Sequence, residues 1–260
     1  MADDQGEVRF ERDGAVATLT FARPHARNAM TWTMYEQLQA ACRALRDDRS
    51  CRVVVLRGEG GDAFVAGTDI AQFLDFSDGD DGLAYEERME GIFADLEALP
   101  QPTVAVVEGF AAGSGLLMSA ICDLRIAAPT ARFGMPVART LGNCLSMRNY
   151  ARLVSVLGAS RVASVVMTAS FLSAEEALAA GFVTSVHEPA ELDAAVAALC
   201  ERLQQHAPLT MWSTKEALRR LRFAGLPDGD DLVHEVFGSE DFREGVQAFV
   251  AKRPARWEWS

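Results

Sequence analysis

The sequence predicts an α/β fold, on three observations. Short apolar runs of strand length at residues 52–57 (RVVVLR), 103–107 (TVAVV) and 123–128 (DLRIAA) alternate with longer segments of helical spacing. Two of these runs exit into loops rich in Gly and Ala, at 58–70 and 108–115. From Pro189 onward the pattern is helical, broken at Ala207-Pro208 and again over residues 225–229. A chain of 260 residues buries roughly 70–75% of its unfolded surface on folding, enough for a sizeable core.

The elements follow in order. Residues 8–11 and 15–21 flank Asp13-Gly14, a hairpin turn signal. A loop, RPHARNAM, occupies 23–30, and a helix is predicted over 31–46 with Thr33 and Glu36 spaced as a capping box. The strand at 52–57 runs into GEGGDAFVAGTDI. Residues 75–82 (DFSDGDDG) are acidic and nearly devoid of core side chains, which predicts a mobile loop. A helix over 83–99 stops before Pro100 and Pro102. The strand at 103–107 ends in EGFAAGSG, a buried helix follows over 113–122, and the third strand spans 123–128. Helices are predicted over 146–157, 160–168 and 173–180, the last with Ser173 and Glu176 as a capping box and Gly181 as its stop. A short strand at 183–186 precedes the helical tail. Domain organisation is predicted as a core over 1–207 and a helical oligomerisation region over 208–260, where Trp212, Phe223, Phe237, Phe242, Phe249, Trp257 and Trp259 call for packing on the core or on another subunit.

Composition excludes several function classes. Lys+Arg is 25 against Asp+Glu 37, a net charge of -12, so neither nucleic acid nor an anionic membrane is the expected partner. Five scattered cysteines, Cys42, Cys51, Cys122, Cys144 and Cys200, form no CxxC pair and are expected as reduced thiols. His25, His187, His206 and His234 form no metal-binding spacing, so no metal is expected. The acidic N-terminus lacks a positive n-region and an apolar h-region, and the longest apolar stretch, 110–122, is too short to span a bilayer. The expectation is a cytoplasmic protein.

The two Gly-rich exits are where chemistry is expected. Parallel neighbouring strands set such exits side by side at the carboxyl edge of a sheet, where ligands bind. Two backbone N–H groups converging there would stabilise an oxygen gaining negative charge. The same glycines also suit tight turns and helix packing. Gly113-Ser114-Gly115 is only a fragment of a dinucleotide fingerprint, without a third Gly or an acidic ribose partner.

The ordered set RPHARNAM, AFVAGTDIAQF, EGFAAGSG, CDLRIAA, ARFGMPVARTLG, LSAEEALAAGFV and AFVAKR resembles the enoyl-CoA hydratase/isomerase family, the crotonase superfamily, over nearly the whole chain. The resemblance implies a spiral of ββα turns, a C-terminal helical trimerisation region, and a homotrimer or dimer of trimers. It also implies an acyl-CoA thioester as substrate, with no cofactor beyond its CoA moiety. Matched residue by residue, the oxyanion N–H groups fall on Thr68 and on Ser114, where the family usually has Gly. The CoA contacts fall on Ala26, Arg27, Ala29, Ala66, Asp69 and Ile70, and tail contacts on Phe249 and Lys252.

The departures bear on mechanism. Hydratases of the family have two active-site glutamates; the first would fall on Leu117 and the second on Val137, neither of which carries a proton. Two-glutamate hydration therefore cannot run with these residues. Leu116, Leu117 and Val137 are expected to line an apolar acyl pocket. Cys144, at what looks like the position of a dehalogenase nucleophile, and Glu90, near an active-site helix position in the same relatives, are the remaining catalytic candidates. The readings in play are an acyl-CoA hydratase or isomerase with non-standard acid–base residues, another reaction of the superfamily such as decarboxylation or thioester hydrolysis, and a catalytically silent acyl-CoA binder.

Overall fold

A hairpin opens the fold. The computed structural model describes residues 5–258; residues 1–4 of the acidic N-terminus and Trp259 of the aromatic tail lie outside them. Strands β1 (Glu7–Asp13) and β2 (Val16–Ala22) pair antiparallel in full register, Glu7 opposite Ala22 and Asp13 opposite Val16. β2 alternates, with Ala17, Leu19 and Phe21 buried, as a strand covered on one face does. β1 carries charges at Glu7, Arg9, Glu11, Arg12 and Asp13, which suits an exposed edge. Helix α1 (Trp32–Arg46) then returns the chain across the sheet.

Three ββα turns follow, and each gives one strand to each of two sheets. In the first, β3 (Val53–Gly58) and β4 (Ala63–Val65) precede α2 (Gly79–Glu97). In the second, β5 (Thr103–Val107) and β6 (Phe110–Ala112) precede α3 (Ser114–Ile121). In the third, β7 (Leu124–Ala127) and β8 (Arg132–Gly134) precede α4 (Val137–Thr140), α5 (Met147–Leu157) and α6 (Ala159–Met167). β9 (Phe171–Ser173), α7 (Ala174–Ala179) and β10 (Ser185–Val186) close the spiral. The sheets have the orders β1-β2-β3-β5-β7-β10 and β4-β6-β8-β9. β3, β5 and β7 pair in parallel and are almost wholly buried, which is why they read as largely apolar runs, with Arg125 of β7 bonded to the backbone carbonyls of Ser119 and Cys122. One face of the larger sheet packs on α8 (Pro189–Gln204) through Leu192, Val196 and Leu199. The main core lies on its other face, against α1, α2 and α3.

Three further helices complete the chain: α9 (Pro208–Phe223), α10 (Asp230–Phe237) and α11 (Glu240–Val250). α10 packs on α2, and α11 packs beside a 3-10 turn over Ile70–Phe73. Phe237 and Phe242 are buried there, joined to Phe73, Phe76 and Tyr85 by ring contacts. No single helix among the described residues is long and apolar enough to cross a membrane.

The structure corrects the expected elements in three places. The acidic segment at 75–82 is not wholly loop: α2 begins at Gly79, capped by Asp78, whose side chain accepts from Asp80 and Asp81 N–H groups, while Asp81 completes a capping box. An acidic first turn is favoured by the helix dipole, so charge there marks a start. The cap of α1 is Thr31, which accepts from Met34 N–H at 3.3 Å, and not Thr33. The second sheet, implied by the ββα spiral of the family resemblance, is not marked by any sequence pattern of its own. Its strands are three residues each, too short to show a period. The Ser173–Glu176 capping box is present in both halves, at 2.7 and 3.1 Å.

Candidate active site

The loop at 23–30 is shaped by Asn28, which is fully buried. Its side-chain oxygen accepts from Arg23 N–H at 2.9 Å, and its amide donates to Glu59 O at 3.0 Å and Ala63 O at 2.7 Å. Arg27 and Asn28 both take left-handed φ, 51 and 56, a conformation Asn tolerates better than most residues. The loop then zips onto the β4 exit: Ala66 N–H donates to Arg27 O at 3.1 Å, and Met30 N–H to Gly67 O at 2.8 Å. Asp69 accepts from Arg23 at 2.7 Å and caps the 3-10 turn through Ala71 N–H at 3.1 Å.

Two amides are left over at the junction of the sheets. Met30 bridges Thr68 as in a parallel ladder, taking the carbonyl of Gly67 and the N–H of Asp69 (2.9 Å). That pattern turns Thr68 N–H to the opposite edge. Ser114 is the first residue of α3, where an N–H has no helical acceptor. The chains touch one residue earlier, because a Cβ on Gly113 would lie 3.5 Å from Gly67 Cα. Gly115 is pressed tighter still, with Val65 O 2.0 Å from where its Cβ would stand. Thr68 Oγ1 also shares hydrogen bonds with Tyr35 Oη (2.8 Å) and Tyr85 Oη (3.1 Å). Burial pushes the Tyr35 phenol up to about 12 and Tyr85 well above its ordinary value, so both keep their protons.

Beside these amides lies a cavity of about 440 Å³. Ala26, Arg27, Ala29, Ala66, Asp69, Ile70 and Phe249 form part of its wall, and so do Thr68, Ser114, Leu117 and Val137. Four of the sequence-derived site residues lie elsewhere. Leu116 is buried in the main core and is not part of the cavity wall. Lys252 is exposed beyond the end of α11, past Phe249. Cys144 sits between the wall residues Asn143 and Leu145, but its Sγ lies 3.7 Å from Leu232 O. Burial, helped by the charge of Glu86, pushes that thiol up to about 12, which favours the thiol over the thiolate. Glu90 is held by the buried Arg152 through two hydrogen bonds, at 2.6 and 2.9 Å, outside the cavity wall.

One turn before Glu90, the structure places a carboxyl that the sequence reading missed. Glu86 lines the cavity and makes no ion pair among the described residues. Its Oε2 accepts from Asn149 Nδ2 at 3.1 Å. Burial pushes it up to about 7, assisted by the like charge of Glu90 and opposed by the polar groups of Ser146 and Asn149. A carboxyl that titrates near neutrality can both take and return a proton. Its signal in the sequence was its place on the apolar stripe of α2, level with Gly82, Met89, Phe93 and Leu96.

A model of the family described as enoyl-CoA hydratase/isomerase matches residues 11–260. The chain belongs to the enoyl-CoA hydratase/isomerase family. It is 31% identical over 255 residues to the short-chain-enoyl-CoA hydratase of Clostridium acetobutylicum, covering 95% of each chain. It is 31% identical over 252 residues to the 2,3-dehydroadipyl-CoA hydratase of Escherichia coli, covering 95% of this chain and 96% of that one. Among solved structures, methylmalonyl-CoA decarboxylase in complex with 2-nitronate-propionyl-CoA superposes with a TM-score of 0.89 at 29% identity, over 98% of this chain and 99% of the other. The two-sheet ββα spiral is the crotonase fold of this family.

Proposed function

We propose that the chain is an enolate-forming acyl-CoA enzyme with one acid–base residue, Glu86, and that it moves a double bond rather than adding water. The thioester carbonyl rests on the N–H groups of Thr68 and Ser114, which stabilise the negative charge that oxygen gains. The CoA moiety runs along Ala26, Arg27, Ala29, Ala66, Asp69 and Ile70, and the acyl chain lies toward Leu117, Val137 and Glu86. With a 3-enoyl thioester, the Glu86 carboxylate takes a proton from the α carbon, and the electron pair delocalises onto the thioester oxygen. Protonated Glu86 then returns that proton to the γ carbon, and the double bond closes between α and β. No water enters and no second carboxyl is needed.

The observation that carries this reading is Glu86 itself, a carboxyl in the cavity wall that makes no ion pair among the described residues, with a titration raised to about 7. Leu117 and Val137 supply nothing that could activate water. The test is turnover of 3-enoyl-CoA and crotonyl-CoA by the wild type and by Glu86→Gln. Isomerisation of the first, lowered about 10²–10⁴-fold in the variant, is the expected result. Hydration of crotonyl-CoA as fast as isomerisation, or a Glu86→Gln variant with wild-type rates, refutes the single-base reading. Saturable acyl-CoA binding with no turnover marks a silent binder instead.

A further inference from the structure

We propose that Asn149 and Arg152 are positioning residues that set the proton affinity of Glu86, Arg152 pinning the Asn149 amide so that its NH2 and not its oxygen faces the carboxyl. The inference rests on Glu86 as the acid–base group and deepens that reading. A guanidinium has five donors and no acceptor. The Asn149 atom 2.9 Å from Arg152 Nη1 is therefore the amide oxygen, and the NH2 is left for Glu86 Oε2 at 3.1 Å. A rotated amide would set its oxygen against the carboxyl and its NH2 against the guanidinium, two repulsions at once.

Arg152 cannot easily swing to allow that rotation. Its side chain is fully buried and forked onto Glu90 at 2.6 and 2.9 Å and onto Glu97 at 3.1 Å. Glu97 is in turn paired with Arg222. The orientation of one amide is thus fixed by a chain of ion pairs joining α2, α5 and α9. Its consequence is a donor that stabilises the Glu86 carboxylate against the burial that destabilises it.

Other groups act on Glu86 from every side. Tyr85 and Glu90 share its helix, Tyr35 faces it from α1, Cys144 and Ser146 from the segment before α5, and Tyr150 from α5. Glu87, Arg148, Asp228 and Asp230 line a cleft that Glu86 also borders. The hydroxyl and backbone N–H of Ser146 also favour the Glu86 carboxylate, and Asn149 makes the direct side-chain hydrogen bond to it, at 3.1 Å.

The test titrates Glu86 directly, by carbon NMR of side-chain-labelled glutamate, with the signal assigned by its loss in Glu86→Gln. Asn149→Asp keeps an acceptor for Arg152 but offers Glu86 an oxygen and a like charge. Asn149→Ala removes the donor to Glu86 together with the acceptor for Arg152, and adds no charge. Both are expected to raise the Glu86 midpoint, Asn149→Asp by at least one pH unit, and to move the acid limb of kcat/KM the same way. Ser155→Ala, on the same helix and remote from the carboxyl, controls for general loosening and is expected to leave the midpoint in place. An unchanged or lowered midpoint in either Asn149 variant, or an equal rise in Ser155→Ala, overturns the proposal. The titration needs no turnover, so an inactive wild type would refute the single-base reading while leaving this inference to be decided by the NMR midpoints.

Discussion

Glu86→Gln should lower turnover about 10²–10⁴-fold and at the same time stabilise the fold, and the size of the second effect follows from the first cause. In the folded protein burial raises the carboxyl from its ordinary 4.5 to about 7. Below pH 4.5 both folded and unfolded chains hold the proton, and folding is indifferent to it. Between 4.5 and 7 the unfolded chain releases its proton while the folded chain retains it, so stability falls as pH rises. Above 7 both are ionised and the loss is complete. At 1.36 kcal/mol per pH unit the gap corresponds to about 3 kcal/mol. Gln has the same shape, keeps an acceptor for Asn149 Nδ2 and never ionises, so the variant escapes that loss. Chemical denaturation at pH 5 and pH 8 measures it. Part of the loss has already occurred at pH 5, so the variant should gain on the wild type by about 2.5 kcal/mol between the two, or about 5 °C in Tm for a chain of this size. Parallel stability of the two proteins across this range would show that Glu86 is not held protonated by its surroundings, and the proton-transfer role assigned to it would go with that result.

Two further outcomes test the frame around the site. Gly115→Ala places a Cβ 2.0 Å from Val65 O, at the contact that sets α3 beside the β4 exit. A loss of about 1–3 kcal/mol or more, together with weakened acyl-CoA binding, is expected by denaturation and calorimetry; wild-type values in both would dissociate this contact from the site. α9 buries no residue in the isolated chain, and Leu209, Trp212, Leu218 and Leu221 stand 74%, 46%, 57% and 74% exposed. Exposed apolar side chains of this size suit burial against a second copy of the chain, so light scattering should give a trimer or a multiple of it, with Leu221→Glu shifting the distribution toward monomer; a monomeric wild type would contradict this.

The fold was legible where sequence periodicity is strong and obscure where elements are short. The large parallel sheet announces itself because β3, β5 and β7 are buried on both faces and are largely apolar, Arg125 of β7 being the buried exception. The second sheet is built from three-residue strands, two of them (β4 and β6) inside segments that read as Gly-rich loops, and only pairing partners distant in sequence make strands of them. The loops at 23–30 and 66–70 were readable because their Asn28, Gly67 and Asp69 make local bonds that dictate a path. Contacts that cross the fold left no such trace: nothing local marks Arg152 as the partner of Glu90 or Leu232 as the neighbour of Cys144.

Glu86 shows how close the sequence came to naming the acid–base group. The run YEERMEG offers three glutamates on one helix, and their identities alone do not rank them. The rotational phase of the helix does. Gly82, Glu86, Met89, Phe93 and Leu96 follow one another at alternating spacings of four and three residues, the stripe that faces a core. The phase is locked by α10, since a Cβ on Gly82 would stand 2.3 Å from Phe237 Cβ. Glu87 falls on the solvent side and Glu90 on the flank, where Arg152 meets it. A carboxyl in line with buried apolar residues is the uncommon observation in such a helix, and it costs stability unless something retains it. With the helix predicted to begin at 83, Gly82 dropped out of the pattern and the stripe lost its first member. Once α2 is extended to its Asp78 cap, the one glutamate on the buried stripe is also the one that the cavity exposes to a ligand.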